Sequence, residues 1–455
     1  MEQVLQTALC QELKREGKTV HKLIALRSMG VMIAALVLLQ PELVYCQKAP
    51  QLPAQIVMGG PISLSGPYAK EGSQGLWGFQ VAEKWINEVN GGIRIDGKKI
   101  PVKYAYYDDE SKKESVTSLL ERLIVTDGVK FTFAPYSSGL TLAGAPVTEK
   151  YKALYNSHGG ASDRTFEQGY RYAVQTIVPG SRYHVDVFDM MKKLDPKAIN
   201  FAMLYEDDEF SRSVRDGALQ YSKKLGYKVV FDRTYPSKVQ DMTPALTELA
   251  AARADFLLGG GHFPDGQLLA RQMTDLGVDF RAASILVSPT LPEFYNALRT
   301  AAEGIIGPAH WEIGVKFSPE TTPKGMKWFG PKQEEFLDSF RRISKGVDPD
   351  YHGVEATTAL LSYALGIEAA KSVDTDKVRQ AMGQLRFVSV YGDWGIDPDT
   401  GRQVVHKSVL IQWQKGKKEI VWPPEAQTAK ACYPMPSSQS RLAGKTCQSG
   451  TSTAN

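Results

Sequence analysis

From Ile56 onward two rhythms alternate along the chain: short apolar runs, then longer stretches with apolar residues three and four positions apart. The first reads as buried strand and the second as amphipathic helix, and their regular succession predicts parallel sheets flanked by helices. "IVMGG" (56–60) precedes a helical stretch carrying Leu76, Trp77, Phe79, Val81, Ala82, Trp85, Ile86 and Val89. "PVKYAYYDD" then leads into 115–126, and "FTFAPY" into 139–150. After a change of neighbourhood at "YAVQTIVPG" (172–180) the register repeats, with "INFAMLY" before 211–225, "KVVFDRTY" before 243–252 and "DFLLGGG" before 265–276. Helical patterns follow at 331–345 and 354–372, and then a hairpin-like end, "DWGIDPDTGRQVVHKSVLIQW", with its turn at Asp397 to Gly401. The pattern holds no longer internal repeat, which excludes a solenoid.

The 455 residues, 43% hydrophobic and 23% charged, suffice for two cores. A net charge of +4 with no basic run argues against nucleic acid as a partner. "GVMIAALVLL" (30–39) follows a charged leader and is too short to span a membrane; it reads as the apolar centre of a secretory signal within a leader of 1–48, and implies export to the periplasm. "LVYC" (43–46) resembles a lipoprotein cleavage box, but the bulky Tyr45 stands where a small residue is wanted. Two of the four cysteines, Cys10 and Cys46, belong to this leader, leaving Cys432 and Cys447 to close a small disulfide loop in an exported protein. They lie in a Ser-, Thr- and Gln-rich segment, and 425–455 is expected to be a disordered tail. Without a CxxC pair, paired histidines, a GxxxxGK[ST] loop or a strand followed by GxGxxG, neither a metal nor a cofactor is expected.

Candidate chemistry collects at predicted strand ends, where the next helix offers unpaired N–H groups. "FTFAPYSSGLT" (131–141) ends a strand in Tyr136, Ser137 and Ser138. The simpler reading is that one serine caps the following helix. One strand later "ALYNSHGGASD" offers Gly160, Ala161 and Ser162. Two such ends in a row favour a cradle for a small anion over two separate caps. Asp108 and Asp109 read as a solvated turn that caps the next helix. A hydrolase using Ser162 finds no base, because His158 and His262 read as loop residues, and Arg164 breaks the nucleophile-elbow pattern.

"GGPISLSGPYAKEGSQGLWGFQVAEKWINEVNGGI", "YYDDESKKESV", "YSSGLTLAGAPV" and "GGASDRTF" occur in this order, and the chain from Ile56 to Trp422 resembles the leucine/isoleucine/valine-binding proteins, periplasmic substrate-binding components of ABC transporters. The resemblance implies an α/β, type I periplasmic-binding fold without catalysis: two lobes, each a mostly parallel sheet flanked by helices, joined by a three-crossing hinge. Lobe 1 is expected at 54–174 plus 312–386, and lobe 2 at 175–311 plus 387–424. It further implies carboxylate contacts at Ser137 or Ser138 and at Gly160, Ala161 and Ser162, a ring over the ligand at Phe210, and a contact near Gly261 or His262. The family's first-lobe disulfide is absent, its positions falling at Ser111 and Tyr136. The acidic grip on the ligand's ammonium falls at Thr290, which carries no charge. Aromatic carboxylates or amides therefore stand beside branched-chain amino acids as expected ligands, with Tyr68, Tyr136, Phe210 and Phe263 as stacking walls. The implied partners are a small carboxylate, amino acid or aromatic acid, and an ABC permease. A periplasmic ligand-sensing regulator on the same fold is the alternative.

Overall fold

The computed structural model describes residues 52–447, so the expected leader with its apolar centre at 30–39 lies outside the described residues, as do 448–455. The first sheet contains β1 (Ile56–Ile62), β2 (Val102–Asp108), β3 (Phe131–Ala134), β4 (Leu154–Ser157) and β5 (Ala173–Gln175), all parallel, in the order β2-β1-β3-β4-β5. Its connections carry α1 (Ala69–Lys84), α2 (Lys113–Val125), α3 (Ser138–Lys150) and the short α4 (Asp163–Glu167). After α5 (Val185–Leu194) comes a second set: β6 (Asn200–Glu206), α6 (Glu209–Leu225), β7 (Lys228–Tyr235), α7 (Thr243–Ala251), β8 (Phe256–Gly260), α8 (Phe263–Asp275), β9 (Ala282–Ile285), α9 (Pro292–Leu298) and β10 (Ile305–Ala309). These strands pair in parallel as β7-β6-β8-β9-β10, the first sheet's order again. The chain then adds α10 (Gln333–Ile343), α11 (Tyr351–Ala370) and α12 (Thr375–Gln384), and closes the second sheet with antiparallel β11 (Val409–Gln414) and β12 (Lys417–Trp422).

Burial accounts for the apolar runs that mark the strands. Every residue of β3, β4, β8, β9 and β10 is buried, as expected of parallel strands covered on both faces. The edge strand β7 is largely exposed and carries Lys228 and Arg233. α11 is buried from Tyr351 to Ile367 and packs back on the first lobe. There Thr357 donates to the Gly78 carbonyl (2.8 Å) and Tyr363 to the Thr132 carbonyl (2.8 Å), while Ala359 accepts from Asn156 (3.2 Å).

Three sequence readings need correction. Asp397 to Gly401 does turn the chain back, with Ile396 bridging Gln403 antiparallel and the Asp397 carboxylate accepting the Asp399 (3.1 Å) and Thr400 (2.8 Å) amides, but the strand that follows, β11, forms its hairpin with β12 instead. Phe387–Ser389 pairs in parallel with Lys327–Trp328, across the lobe boundary expected at 386, and on its other side with antiparallel Gly392–Trp394. The tail expected to be disordered is packed as far as it is described. Cys432 and Cys447 form a disulfide, and Met435 and Arg441 are buried, with Arg441 donating to the Ala301 carbonyl at 2.6 Å. Its few apolar residues concealed anchoring by polar pairs and one covalent link.

Candidate functional site

In an open sheet of this order, the crevice forms beyond the strand ends where the winding reverses: beside β1 and β3 in one lobe, beside β6 and β8 in the other. The two reversal points face each other. Tyr136, just after β3, is hydrogen-bonded through its hydroxyl to His262 Nδ1, just after β8, at 2.7 Å. Tyr68, from the loop between β1 and α1, packs its ring on the His262 imidazole (4.8 Å). Behind this contact lies an inner cavity of about 10 Å³, lined by Tyr136, Ser138, Gly159 and Ala161 from one lobe, Tyr183, Phe210, His262 and Val287 from the other, and Tyr351 at the start of α11. That is room for a single water. Larger recesses flank it: one of about 370 Å³ beside Tyr68, Glu206, His262 and Asp265, and one of about 300 Å³ beside Tyr68, Ser111, Ser137 and Asp208. A molecule the size of an amino acid enters the inner cavity only if the lobes part.

Charge within the second lobe holds the His262 ring in place. His262 Nε2 lies 3.0 Å from Asp208 Oδ2, and Asp208 also caps α6 by accepting the Ser211 amide (2.8 Å). Burial opposes the Asp208 charge, but His262 and Ser211 outweigh it and bring its pKa down to about 2. Burial likewise opposes a charged His262, yet Tyr68, Asp208 and Glu206 raise its pKa well above the usual value. Asp265 accepts the Tyr235 hydroxyl and the His262 amide (2.8 Å); burial and Glu206 push its pKa up to about 7. Only glycine fits at 261, where a Cβ would lie 2.4 Å from Glu206 Oε2. Among the described residues, Glu206, Asp208 and His262 form the one group with metal-ligand potential, their donor atoms within 4.8 Å of one another. A metal there must displace the His262 proton, and no other feature calls for one.

The expected cradle residues do meet, through each other. Ser138 Oγ accepts the Ser162 amide at 3.0 Å, and the Ser162 hydroxyl accepts the Arg164 amide (3.3 Å), so the simple capping role holds for that side chain. Ser138 and Ala161 line the inner cavity, whereas Ser137 lines the outer recess. Gly160 is wedged under Thr141, where a Cβ would lie 2.1 Å from the hydroxyl. Neither Gly160, Ser162 nor Gly261 lines any of these three spaces. Thr290 does not either: it belongs to the tight turn Ser288–Thr290 and spends its hydroxyl on the Val287 carbonyl (2.7 Å). Asp109 is no solvated cap. It is buried, accepts from Ser63 Oγ and the Ser111 amide (both 2.7 Å), and is raised by burial to about 6. Asp108 ties down the opposite loop by accepting the Leu64 amide (2.9 Å). His158 is held neutral by burial, its pKa lowered to about 3, and neither it nor His262 bonds Ser162, which leaves a hydrolase without a base. Tyr183, Val287 and Tyr351 escaped sequence reading; Asp350, which caps α11 by accepting the His352 amide (2.9 Å), was the available signal that Tyr351 opens a helix.

Three chain crossings join the lobes, and polar contacts bind them to one another. His406 Nε2 meets the His310 carbonyl (2.7 Å), Arg182 donates to the His406 carbonyl (3.0 Å), and Trp394 donates to the Thr176 hydroxyl (3.1 Å). Under them Glu355 Oε1 pairs with His310 Nδ1 (2.7 Å) and the Tyr391 hydroxyl (3.0 Å). Burial drives the Glu355 pKa well up and the His310 pKa well down, which favours a neutral hydrogen-bonded pair over an ion pair. Glu355→Gln is therefore expected to shift stability by no more than about 1 kcal/mol, measured by urea unfolding, while Glu355→Leu loses clearly more by stranding His310 and Tyr391.

A family profile described as periplasmic binding protein matches residues 55–418. Leu/Ile/Val-binding protein homolog 7 of Brucella abortus (strain 2308) is 24% identical over 406 residues, covering 84% of this chain and 94% of its own. Among solved structures, the branched-chain amino acid transporter substrate binding protein LivJ from Streptococcus pneumoniae, in complex with isoleucine, superposes with a TM-score of 0.68 at 19% identity, over 81% of this chain and 100% of that one. A solute binding protein of an ABC transporter from Rhodopseudomonas palustris HaA2, in complex with p-hydroxybenzoic acid, gives 0.68 at 20% identity, over 84% and 98%.

Proposed function

The chain belongs to the periplasmic binding protein family, and on that premise we propose that it is the exported receptor of an ABC-type uptake system for a branched-chain amino acid or a related small carboxylate. The observation that carries this reading is the inner cavity, walled from both lobes at the two reversal points and closed by the Tyr136–His262 contact. The first helical N–H groups of α3 have no partner within the helix, and with Ser138 Oγ beside them this positive end suits a carboxylate. Ligand binds the first lobe while the cleft is open; closure then brings Phe210, Tyr183 and His262 onto its other side, and a permease reads the closed form. Binding, not catalysis, is the family's activity. Among the described residues no helix is long and apolar enough to cross a membrane, which agrees with a protein that serves a membrane partner from the periplasm. Lobes divided as 54–174 plus 312–386 and 175–311 plus 387–424 remain the proposed moving bodies, with 387–394 reassigned to the first by its strand pairing.

Four rings around the cavity, Tyr136, Tyr183, Phe210 and Tyr351, favour an aromatic acid as the second reading. A thermal-shift screen with L-leucine, L-phenylalanine, benzoate and p-hydroxybenzoate tests both. At a hundredfold excess over its Kd the true ligand stabilises the protein by about 2.7 kcal/mol. At least one of these acids is expected to raise the melting temperature, and to do so far less in Ser138→Ala. A flat response to every acid counts against the receptor, and an undiminished response in Ser138→Ala counts against the site.

A further inference from the structure

Glu71 is unlike the other buried acids. It sits in the first turn of α1, 1% exposed, and neither carboxylate oxygen has a hydrogen-bond partner among the described residues. Among the other buried acids, Asp350 is engaged with His352, Glu312 with Lys418, Glu355 with His310 and Glu303 with the Lys415 and Gly416 amides, while Glu206 opens on the outer recess beside Asp265. Native proteins rarely leave a buried carboxyl bare on both oxygens, and where they do the group has another use. Serving the positive end of α1 explains an acid in this turn, but that role needs no burial.

Its surroundings point to the cleft. Glu71 stands on α1 one turn after Tyr68, whose ring packs on Tyr136 (5.4 Å) and His262 (4.8 Å), and one turn before Gln74, which accepts the Asp350 amide next to Tyr351 (3.1 Å). Burial raises the Glu71 pKa, while His352 and His262 oppose the rise. Three of these neighbours, Tyr136, His262 and Tyr351, line the inner cavity. Thr290, the position at which the family resemblance implied an ammonium partner, is uncharged and satisfied within its own turn. The cavity therefore has a place for a carboxylate at α3 and a second, unspent acceptor close to its wall.

We propose that Glu71 receives an N–H-bearing group of the ligand, an ammonium or an amide, so that the cargo is a compact molecule with a carboxylate at one end and a nitrogen donor at the other. This inference rests on the receptor reading above and narrows it: simple benzoate-like or aliphatic acids are poor cargo. His352 and Asp350 from the start of α11 and His262 from the second lobe are the charged or titratable groups that act on the Glu71 carboxyl before the ligand arrives.

Isothermal titration calorimetry with matched pairs tests it: L-leucine against isocaproate, L-phenylalanine against hydrocinnamate, succinamate against butyrate. In the wild type, the nitrogen-bearing member of at least one pair is expected to bind about tenfold tighter than its mate or better. Glu71→Met, which fills the same buried space without an acceptor, is expected to erase that gap while keeping or raising the melting temperature of the free protein. Glu71→Gln separates the two donors, since its carbonyl still accepts from an amide but forfeits the charge that favours an ammonium. A gap that survives in Glu71→Met, a wild type that favours the nitrogen-free mates, or failure of both variants to fold overturns the proposal. If mates bind equally, only this inference falls; if no member of any pair binds, the receptor reading falls with it.

Discussion

His262→Ala is expected to open the cleft and to abolish its dependence on pH. The imidazole, held by Asp208 of its own lobe (3.0 Å), reaches across the cleft to Tyr136 of the other (2.7 Å) and is almost completely buried, so losing the pair frees the ring that bridges the lobes. Truncating one partner of a buried ion pair costs about 3 to 5 kcal/mol, because the remaining charge is left without compensation. The pKa of Asp208 falls from 3.8 to about 2, which by itself corresponds to about 2 kcal/mol. The two partners titrate in opposite senses. His262, raised above 6.5, contributes fully below that value, and its contribution is lost as the pH climbs through its raised pKa. Asp208 contributes fully above 3.8, and its share is lost as the pH falls through about 2. Small-angle scattering should thus find the free protein most compact between about pH 4 and 6.5 and wider in alkali. In His262→Ala the radius of gyration should be larger and flat with pH. The same pH profile in the variant would show that the latch lies elsewhere.

The second large effect concerns the helix crossing beneath the first lobe. α1 meets α11 at Gly78 and Gly353, so closely that a Cβ on Gly78 would stand 2.0 Å from the Gly353 carbonyl oxygen. The obstacle is backbone within the buried stretch of α11, which cannot swing aside as a side chain does. Gly78→Ala should therefore cost about 1 to 3 kcal/mol despite alanine's better helix propensity, and Gly78→Val more. Gly139→Ala is the matched control: in the first turn of α3 its Cβ meets only the Lys113 side chain at 3.6 Å, and melting should be unchanged or slightly higher. Calorimetric melting of the three variants decides whether close approach, and not glycine loss in general, sets the difference.

The α/β architecture was readable because parallel strands buried on both faces appear as unbroken apolar runs, of which β3 and β4 are good examples. The end of β3 at Tyr136 and Ser138, which line the inner cavity, was readable too, since a strand that stops in polar residues before a helix announces its own end. What stayed hidden depended on tertiary detail. Thr290 lines none of the three spaces, because a three-residue turn aims its hydroxyl at its own backbone. Tyr183 follows the short turn Gly180–Arg182 just past the first crossing and Tyr351 opens α11, and no periodicity marks either position. Glu71 looked like an ordinary helix-start acid, and only its burial without partners sets it apart. The segment from 425 looked disordered by composition, yet Arg441 and the Cys432–Cys447 link hold it against β10 and β11 neighbours such as Ala301 and Gln412.

Mass spectrometry of the small molecule that travels with natively purified protein, repeated on a Tyr136→Ala, Ser138→Ala double variant, addresses the central claim most directly. The account predicts one small carboxylic acid per chain, released on unfolding and absent from the variant. Retention of the same molecule by the variant, or a bound molecule lacking a carboxylate, would contradict it.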